Sequence, residues 1–160
     1  MKRISGQALA ISHLGAPEVK FYRANEKPYG VFSNLYRREI SFEGRLYPTA
    51  EHAYQAGKAR EEEVREWILS APTPSLAAMA AHGLYTWDVV PDWATTKFRR
   101  MRAVLEAKFT QHEDLRALLI STGNARLVEV GRVDNAVNPS YSAHSRDSET
   151  SVVQAFEFTA

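Results

Sequence analysis

The spacing of apolar residues along the chain changes from short alternating runs to helical periods. Residues 18–22, 40–42 and 45–47 alternate roughly between apolar and polar side chains, which predicts half-buried strands. Glu43 and Gly44 separate the last two runs, and a glycine here can supply the positive φ of a hairpin turn. A mostly apolar run at residues 127–130 predicts one more, buried strand. The β part of the fold is therefore small.

Helical spacing dominates the rest of the chain. Pro48 ends the second hairpin strand and Thr49 is a suitable N-cap, which together predict the start of a helix. The predicted helices are residues 50–59, 62–69, 75–83, 92–109 and 113–121. The apolar stripe of the longest one comprises Phe98, Met101, Leu105 and Phe109. This pattern predicts a compact α+β domain, mainly helical around a small sheet.

Composition restricts the class of protein. A chain of 160 residues fits one domain with a real core, and we find no internal repeat or dividing linker. The net charge of +1 gives no broad electrostatic surface for duplex DNA. The absence of cysteine excludes disulfides, thiolate metal sites and cysteine nucleophiles. No apolar run approaches the ~20 residues that span a bilayer, and polar residues interrupt the basic N-terminal segment, so we expect a cytoplasmic location and no membrane partner.

The helix predicted after Thr49 carries a dense set of polar residues. Glu51 falls in its first turn, where the helix dipole favours a carboxylate. Tyr54, Gln55 and Lys58 follow at i+3, i+4 and i+7, so a continuous helix places them on one face with Glu51. Glu51 and Lys58 would then lie ~10 Å apart along the axis, with room for a ligand between them. A capped surface helix with an acidic first turn explains the same pattern equally well.

Aromatic residues are frequent on either side of the polar pair Ser33 and Asn34. Tyr29 and Phe32 stand directly before this pair, where rings could stack a planar base while the polar side chains bind its edge. Taken alone, each aromatic residue is better explained as part of the core. The segment therefore predicts a polar pocket with aromatic walls only when all its residues are considered together.

Two later residues are candidates for the same pocket. Trp93 follows Asp92; if Asp92 is the N-cap, the indole is fixed in the first turn and either lines a pocket or covers the helix end. Asp134 lies in a turn-like segment after the last strand, where an aspartate is more often a turn former than a catalyst. The following basic cluster fits a phosphate site or, equally well, a solvated helix face: Lys97, Arg99, Arg100 and Arg102. The five histidines show no ligand spacing, so we predict no metal site.

Several separated blocks of the sequence resemble the NADAR superfamily, which includes the bacterial YbiA-like N-glycosidases. The blocks are YG-x-FSN at residues 29–34, YPT-x-EH-x-Y-QA-x-K at residues 47–58, and the pair Asp92-Trp93. Shorter matches follow in family order: Met101, Lys108-Phe109, Thr122-Gly123, residues 127–129 and Asp134. The resemblance implies a NADAR/YbiA-like domain over residues 18–138, an N-terminal extension at 1–17 and an atypical C-terminal tail at 139–160.

The same resemblance implies an activity and a site. Enzymes of this family hydrolyse the bond between a ribose C1′ and a nitrogen. The implied substrate is a small-molecule ribose-phosphate or ADP-ribose conjugate, namely a riboflavin biosynthesis intermediate or an ADP-ribosylated guanine, with ADP-ribosylated nucleic acid as a further partner and no cofactor. The implied catalytic residues are Glu51, Asp134 and Lys58. The implied substrate-binding residues are Tyr29, Phe32, Ser33, Asn34, Gln55 and Trp93.

These residue types suit the implied reaction. Cleavage of C1′–N develops oxocarbenium character, which one carboxylate stabilises while another activates water. Glu51 and Asp134 are candidates for the two tasks, in either order. Lys58 would polarise or protonate the departing group, or attack C1′ of an opened ribose to form a Schiff base.

The chain departs from the family pattern after Asp134. It lacks the usual Trp-Gly pair, the Gly-x-Asn-x-Leu-Gly segment and the closing helix, and residues 152–158 predict a strand instead. The lost segment would close one side of the pocket. A non-catalytic module that binds ADP-ribose or a nucleotide is therefore the alternative to an enzyme.

Overall fold

A computed structural model of the chain describes residues 17–130 and confirms the predicted α+β class. The strands are β1 (Glu18–Phe21), β2 (Ile40–Phe42), β3 (Arg45–Tyr47) and β4 (Arg126–Glu129). The α-helices are α1 (Ala50–Ala56), α2 (Glu62–Leu69), α3 (Pro74–His82), α4 (Trp93–Gln111) and α5 (Glu113–Ser121), and short 3-10 helices span Tyr29–Phe32 and Thr86–Asp88. Within this range no helix is both long and apolar enough to cross a membrane. The predictions on residues 1–16, on Asp134 and on the C-terminal tail fall outside the described residues.

The described strands form two separate pairs. The hairpin of β2 and β3 is confirmed, and its turn residues Glu43 and Gly44 both have positive φ, 51° and 78°, as a two-residue type I′ turn requires. The parallel pair joins β1 to β4, with Phe21 opposite Glu129. This pairing places the end of β4 beside the chain that leads into the 3-10 helix at Tyr29–Phe32.

Helix α4 connects two of the hydrophobic clusters that form the core. On one side Val104 packs with the hairpin and with α1, where small side chains allow close approach: Ala50, Ala53 and Ala56. On the other side Leu105 and Phe109 belong to a cluster with Phe21, Phe32 and Leu115. A third cluster packs α2 against α3. Helix α1 is therefore enclosed by its neighbours, and most of its residues are buried.

Helix α1 ends three residues earlier than predicted, at Ala56 instead of residue 59. The reason is a contact from α4: the guanidinium of Arg100 donates hydrogen bonds to the carbonyls of Ala53 and Tyr54, at 2.7–3.3 Å. These carbonyls near the end of the helix therefore have donors without a further helical turn. Arg100 is thus a capping residue, whereas its basic cluster was predicted to be a phosphate site or a solvated helix face.

Two further helix boundaries and one stripe also differ from the prediction. Helix α3 begins at Pro74, one residue before the predicted start at residue 75. Thr73 is its N-cap, because the Thr73 hydroxyl accepts from the backbone N–H of Leu76 at 3.2 Å. The Asp92 side chain makes no capping hydrogen bond to α4. Phe98, predicted to be apolar core, is 68% exposed, because α4 packs against the core mainly through its second half.

Candidate active site

The first turn of α1 supplies a buried carboxyl group. The Thr49 hydroxyl caps the helix by accepting from the backbone N–H of His52 at 3.2 Å, so the helix starts at a defined residue. Glu51 follows in the first turn and is only 9% exposed. The side-chain amide of Gln55, one turn later, donates to Glu51 Oε1 at 2.7 Å. Burial raises the pKa of Glu51, and the Gln55 hydrogen bond opposes this shift.

The segment that contains Ser33 and Asn34 lies directly against this turn. The backbone N–H of Glu51 donates to the carbonyl of Asn34 at 3.1 Å, which ties the two segments together. The Asn34 side chain donates from Nδ2 to Met101 Sδ at 3.1 Å. Its Oδ1 is buried and has no hydrogen-bond partner among residues 17–130. An acceptor in this position can bind a donor from a ligand.

The aromatic residues before this pair belong to the core. Phe32 is 5% exposed and contacts Phe21 and Phe109 edge to face. Tyr29 is half-buried and its ring stacks on Phe32 at 5.7 Å between centroids. Gly30 allows this packing, since a Cβ there would lie 2.4 Å from the carbonyl oxygen of Arg23. In the described residues these rings are held by one another, with only Tyr29 partly accessible.

A buried lysine of α4 binds the backbone of the segment that leads to Asn34. Lys108 of α4 is 1% exposed, and its ammonium donates to the carbonyl of Val31 and, at 2.9 Å, to that of Ser33. The rings of Tyr36 and Phe109 lie 5.8 Å and 5.3 Å from Nζ. Burial lowers the pKa of Lys108 to about 7, and the charge of Glu129 acts in the opposite direction.

Glu129, at the end of β4, completes a polar cluster with the residues above. Burial raises the pKa of Glu129, and the Ser33 side chain and the positive charge of Lys108 act in the opposite direction. Burial is the main cause of the raised pKa of Glu51, and the charge of Glu129 adds to it. We define Ser33, Asn34, Glu51, Gln55, Lys108 and Glu129 as the carboxyl cluster.

The sequence-based prediction included neither Lys108 nor Glu129 among the site residues. Lys108 occupies a position of the apolar stripe, three residues after Leu105 and next to Phe109. Glu129 stands between two valines in a strand that was predicted to be buried. A charged residue at a buried position is rare without a partner, so both positions carried a signal that could have identified them.

Trp93 contacts α1 through Tyr54, and Lys58 follows the end of that helix. Trp93 is the first residue of α4, half-buried, and its ring packs against Tyr54 at 5.2 Å between centroids. Lys58 follows the end of α1 and does not share a helical face with Glu51, which corrects the i+7 prediction. Its carbonyl accepts from the backbone N–H of Val90 at 3.0 Å, so it is joined to the loop that leads to Trp93.

The contacts within residues 17–130 connect the predicted site residues in two groups. Glu51, Gln55, Ser33 and Asn34 form one cluster, whereas Trp93 and Lys58 are linked through the loop before α4. Asp134 lies outside the described residues. No group of three or more His, Cys, Asp and Glu side chains suited to a metal ion occurs in the part of the chain that the structure describes.

Comparison with known proteins shows which protein family this chain resembles. A model described as the NADAR domain matches residues 20–151. N-glycosidase YbiA of Escherichia coli (strain K12) is 36% identical over 123 residues, which cover 77% of this chain and 76% of that protein. N-glycosidase Npun_R5314 of Nostoc punctiforme is 34% identical over 120 residues, covering 73% of this chain and 76% of that protein.

Two further similarities concern a longer protein and a solved structure. Riboflavin biosynthesis protein VVA0006 of Vibrio vulnificus is 27% identical over 136 residues, which are 85% of this chain and 36% of that protein. The solution NMR structure of E. coli YbiA matches with a TM-score of 0.64 at 36% identity, and the match covers 79% of this chain and 74% of that one.

Proposed function

The chain belongs to the NADAR domain family, and from this premise we propose that it hydrolyses the C1′–N bond of a ribose-phosphate or ADP-ribose conjugate. Its relatives named N-glycosidases support the coarser statement that the chain is a glycosyl hydrolase of the N-glycosidase type. The name of the Vibrio relative supports a riboflavin biosynthesis intermediate as one substrate, and an ADP-ribosylated guanine is the other.

The observation that carries the proposal is the environment of Glu51. A carboxyl group that is 9% exposed and hydrogen-bonded to Gln55 is held in one orientation, and its raised pKa favours the protonated form, which can donate a proton. The unpaired Asn34 Oδ1 would accept a hydrogen bond from a ribose hydroxyl or a base amine. The backbone N–H of Glu51 donates to the Asn34 carbonyl, so the two residues lie side by side, and we place the conjugate next to both.

The remaining residues are assigned around this centre. Asp134 is the second carboxylate, which activates water or stabilises the oxocarbenium-like transition state. Trp93 would stack the base or the ribose beside Tyr54, with Tyr29 at the accessible edge of the aromatic group. Ser33 and Phe32 would support the segment, and Gln55 would orient Glu51. Lys58 would polarise the departing group or form a Schiff base with an opened ribose.

The test is a product assay on the full-length chain. Phosphoribosylated aminopyrimidine and ADP-ribosylated guanine are each incubated with the wild-type protein and with the Glu51→Gln and Glu106→Gln variants. We expect release of base and sugar, a loss of about 100-fold or more for Glu51→Gln, and wild-type rates for Glu106→Gln, which alters an exposed carboxylate of α4. A separate Asp134→Asn variant is assayed in the same way. If Glu51→Gln and Asp134→Asn both kept near-normal turnover, the two-carboxylate scheme would be refuted.

Two further readouts separate the alternatives. Borohydride added during turnover would attach the sugar covalently to the protein if Lys58 forms a Schiff base, and a Lys58→Arg variant would lose this adduct. Calorimetric binding of either conjugate without any release of base after long incubation would instead support the non-catalytic binding module.

A further inference from the structure

Helix α4 binds the segment that ends at Asn34 at two points. We define residues 31–34 as the tethered segment. Lys108 donates from its ammonium to two carbonyls of this segment. Met101, seven residues earlier and so about two turns away on the same face of α4, accepts through its sulfur from the Asn34 side-chain amide at 3.1 Å. The first contact fixes the backbone of the tethered segment, and the second fixes the side chain at its end.

The tethered segment in turn holds the first turn of α1. The backbone N–H of Glu51 donates to the carbonyl of Asn34 at 3.1 Å. An N–H in the first turn of a helix has no acceptor within the helix, so this carbonyl supplies one from outside. The Glu51 side chain is then oriented by Gln55, which donates to Oε1 at 2.7 Å. A continuous series of contacts therefore leads from the ammonium of Lys108 to the carboxyl group of Glu51.

This series of contacts begins at a position from which solvent is excluded. Lys108 is 1% exposed, and the rings of Tyr36 and Phe109 lie 5.8 Å and 5.3 Å from its Nζ. Ser33 is also 1% exposed, so water has little access to the carbonyl that Lys108 binds. Without the lysine, the donor that remains to this carbonyl within residues 17–130 is the backbone N–H of Tyr36. The tethered segment would then lose the contact that joins its backbone to α4.

We propose that Lys108 is a positioning residue for Glu51: through the tethered segment, it holds the first turn of α1 where the carboxyl group can act on the substrate. The inference rests on the proposed function, in which Glu51 is a catalytic carboxyl group. Lys108 itself takes no part in the chemistry, because its ammonium binds the protein backbone. Its loss should therefore lower the rate only as far as Glu51 contributes to that rate.

The first test follows the hydrogen exchange of single backbone amides by NMR and needs no substrate. Glu51 and Glu63 are each the second residue of a helix, but the Glu51 N–H donates to the tethered segment, whereas Glu63 is exposed in the first turn of α2. In the wild type, we expect the Glu51 amide to exchange about 100-fold more slowly than the Glu63 amide, after correction for intrinsic rates. Comparable protection of the two amides would overturn the proposal.

The same measurement is then made on Lys108→Met and on Ile68→Val, which alters a buried cluster that contains no residue of the tethered segment. We expect Lys108→Met to accelerate exchange of the Glu51 amide by about 10-fold or more relative to that of Ala53, which donates to the Thr49 carbonyl. Ile68→Val should affect both amides alike. Equal acceleration of the two amides in Lys108→Met would show only a general loss of stability and contradict the proposal.

The kinetic test is a double-mutant cycle on the rate of base release. Lys108→Met should lower kcat/KM by about 10-fold to 100-fold in the wild-type background. In the Glu51→Gln background the same change should lower it by less than about threefold, because a carboxyl group that is already lost cannot be misplaced. An equal loss in both backgrounds would show that Lys108 acts independently of Glu51 and would rule out the positioning role.

These measurements separate the inference from the proposed function. Selective acceleration of the Glu51 amide without hydrolysis of either conjugate would support the tether and refute the proposed activity. Hydrolysis with equal acceleration of the Glu51 and Ala53 amides would support the activity and refute the inference. Lys108→Gln, whose side chain is one atom shorter than lysine, takes the place of Lys108→Met in both tests if that variant does not fold, and the same outcomes decide.

Discussion

Replacing Lys108 with methionine removes the most deeply buried charged residue among residues 17–130 while keeping a side chain of similar length. Lys108 is 1% exposed, and its ammonium binds the carbonyls of Val31 and Ser33. The variant loses these hydrogen bonds, and each buried carbonyl left unpaired costs about 1–3 kcal/mol. The variant also loses a titrating group, so its stability should respond differently to pH.

The sign of this response follows from the direction of the pKa shift. The pKa of Lys108 falls from an ordinary 10.5 to about 7 in the folded protein, so the unfolded chain binds more protons between these values. The free energy of unfolding of the wild type should therefore rise with pH from 7 towards 10.5. Folded Lys108 is half protonated at pH 7 and almost neutral at pH 9, which corresponds to a gain of roughly 2 kcal/mol over that interval.

The assay is urea denaturation at pH 7, 8 and 9, followed by tryptophan fluorescence, with Lys20→Met as the control at an exposed lysine of β1. The free energy of unfolding should rise with pH in the wild type and in Lys20→Met. The deficit of Lys108→Met relative to the wild type should widen by roughly 2 kcal/mol from pH 7 to pH 9. A deficit that stays constant over this range would show that Lys108 keeps an ordinary pKa in the folded protein and would refute the reasoning.

Three further predictions concern the backbone and the helix ends. Gly30→Ala should destabilise the domain by about 2 kcal/mol or more, because the new Cβ would lie 2.4 Å from a carbonyl oxygen. Gly83→Ala is the control and should be neutral, because its nearest contact would be at 3.6 Å. Equal melting temperatures of the two variants would contradict this prediction. Arg100→Met should cost about 1–3 kcal/mol in urea denaturation, because the Ala53 carbonyl near the end of α1 loses its donor, whereas the Tyr54 carbonyl keeps the backbone N–H of Gly57. An unchanged midpoint would rule out the capping role. Thr49→Val should lower the free energy of unfolding by about 1–2 kcal/mol, and by more than Thr73→Val, because the Thr49 cap is buried and the Thr73 cap is partly exposed. A larger loss in Thr73→Val, measured by chemical denaturation, would refute the argument.

Local signals in the sequence predicted most of the elements correctly. The hairpin turn at Glu43–Gly44, the cap at Thr49 and the helix over residues 62–69 depend on neighbours within a few residues, which are visible in the sequence. The proximity of Glu51 and Gln55 also follows from a spacing of four within one helix. These features needed no knowledge of the packing.

Only the tertiary structure decided where α1 ends and which charges are buried. The arginine that satisfies the end of α1 lies 47 residues away from the carbonyl that it binds, and the lysine that holds Ser33 lies 75 residues away. Such contacts form when helices and strands pack, and helical or strand spacing carries no information about them. The sequence by itself therefore determined most of the helices and strands and the position of Glu51 in the first turn of α1. Packing of α4 against the segment before Asn34 decided that the Lys108 ammonium binds the carbonyls of Val31 and Ser33, because tertiary packing brings together groups that the chain holds far apart.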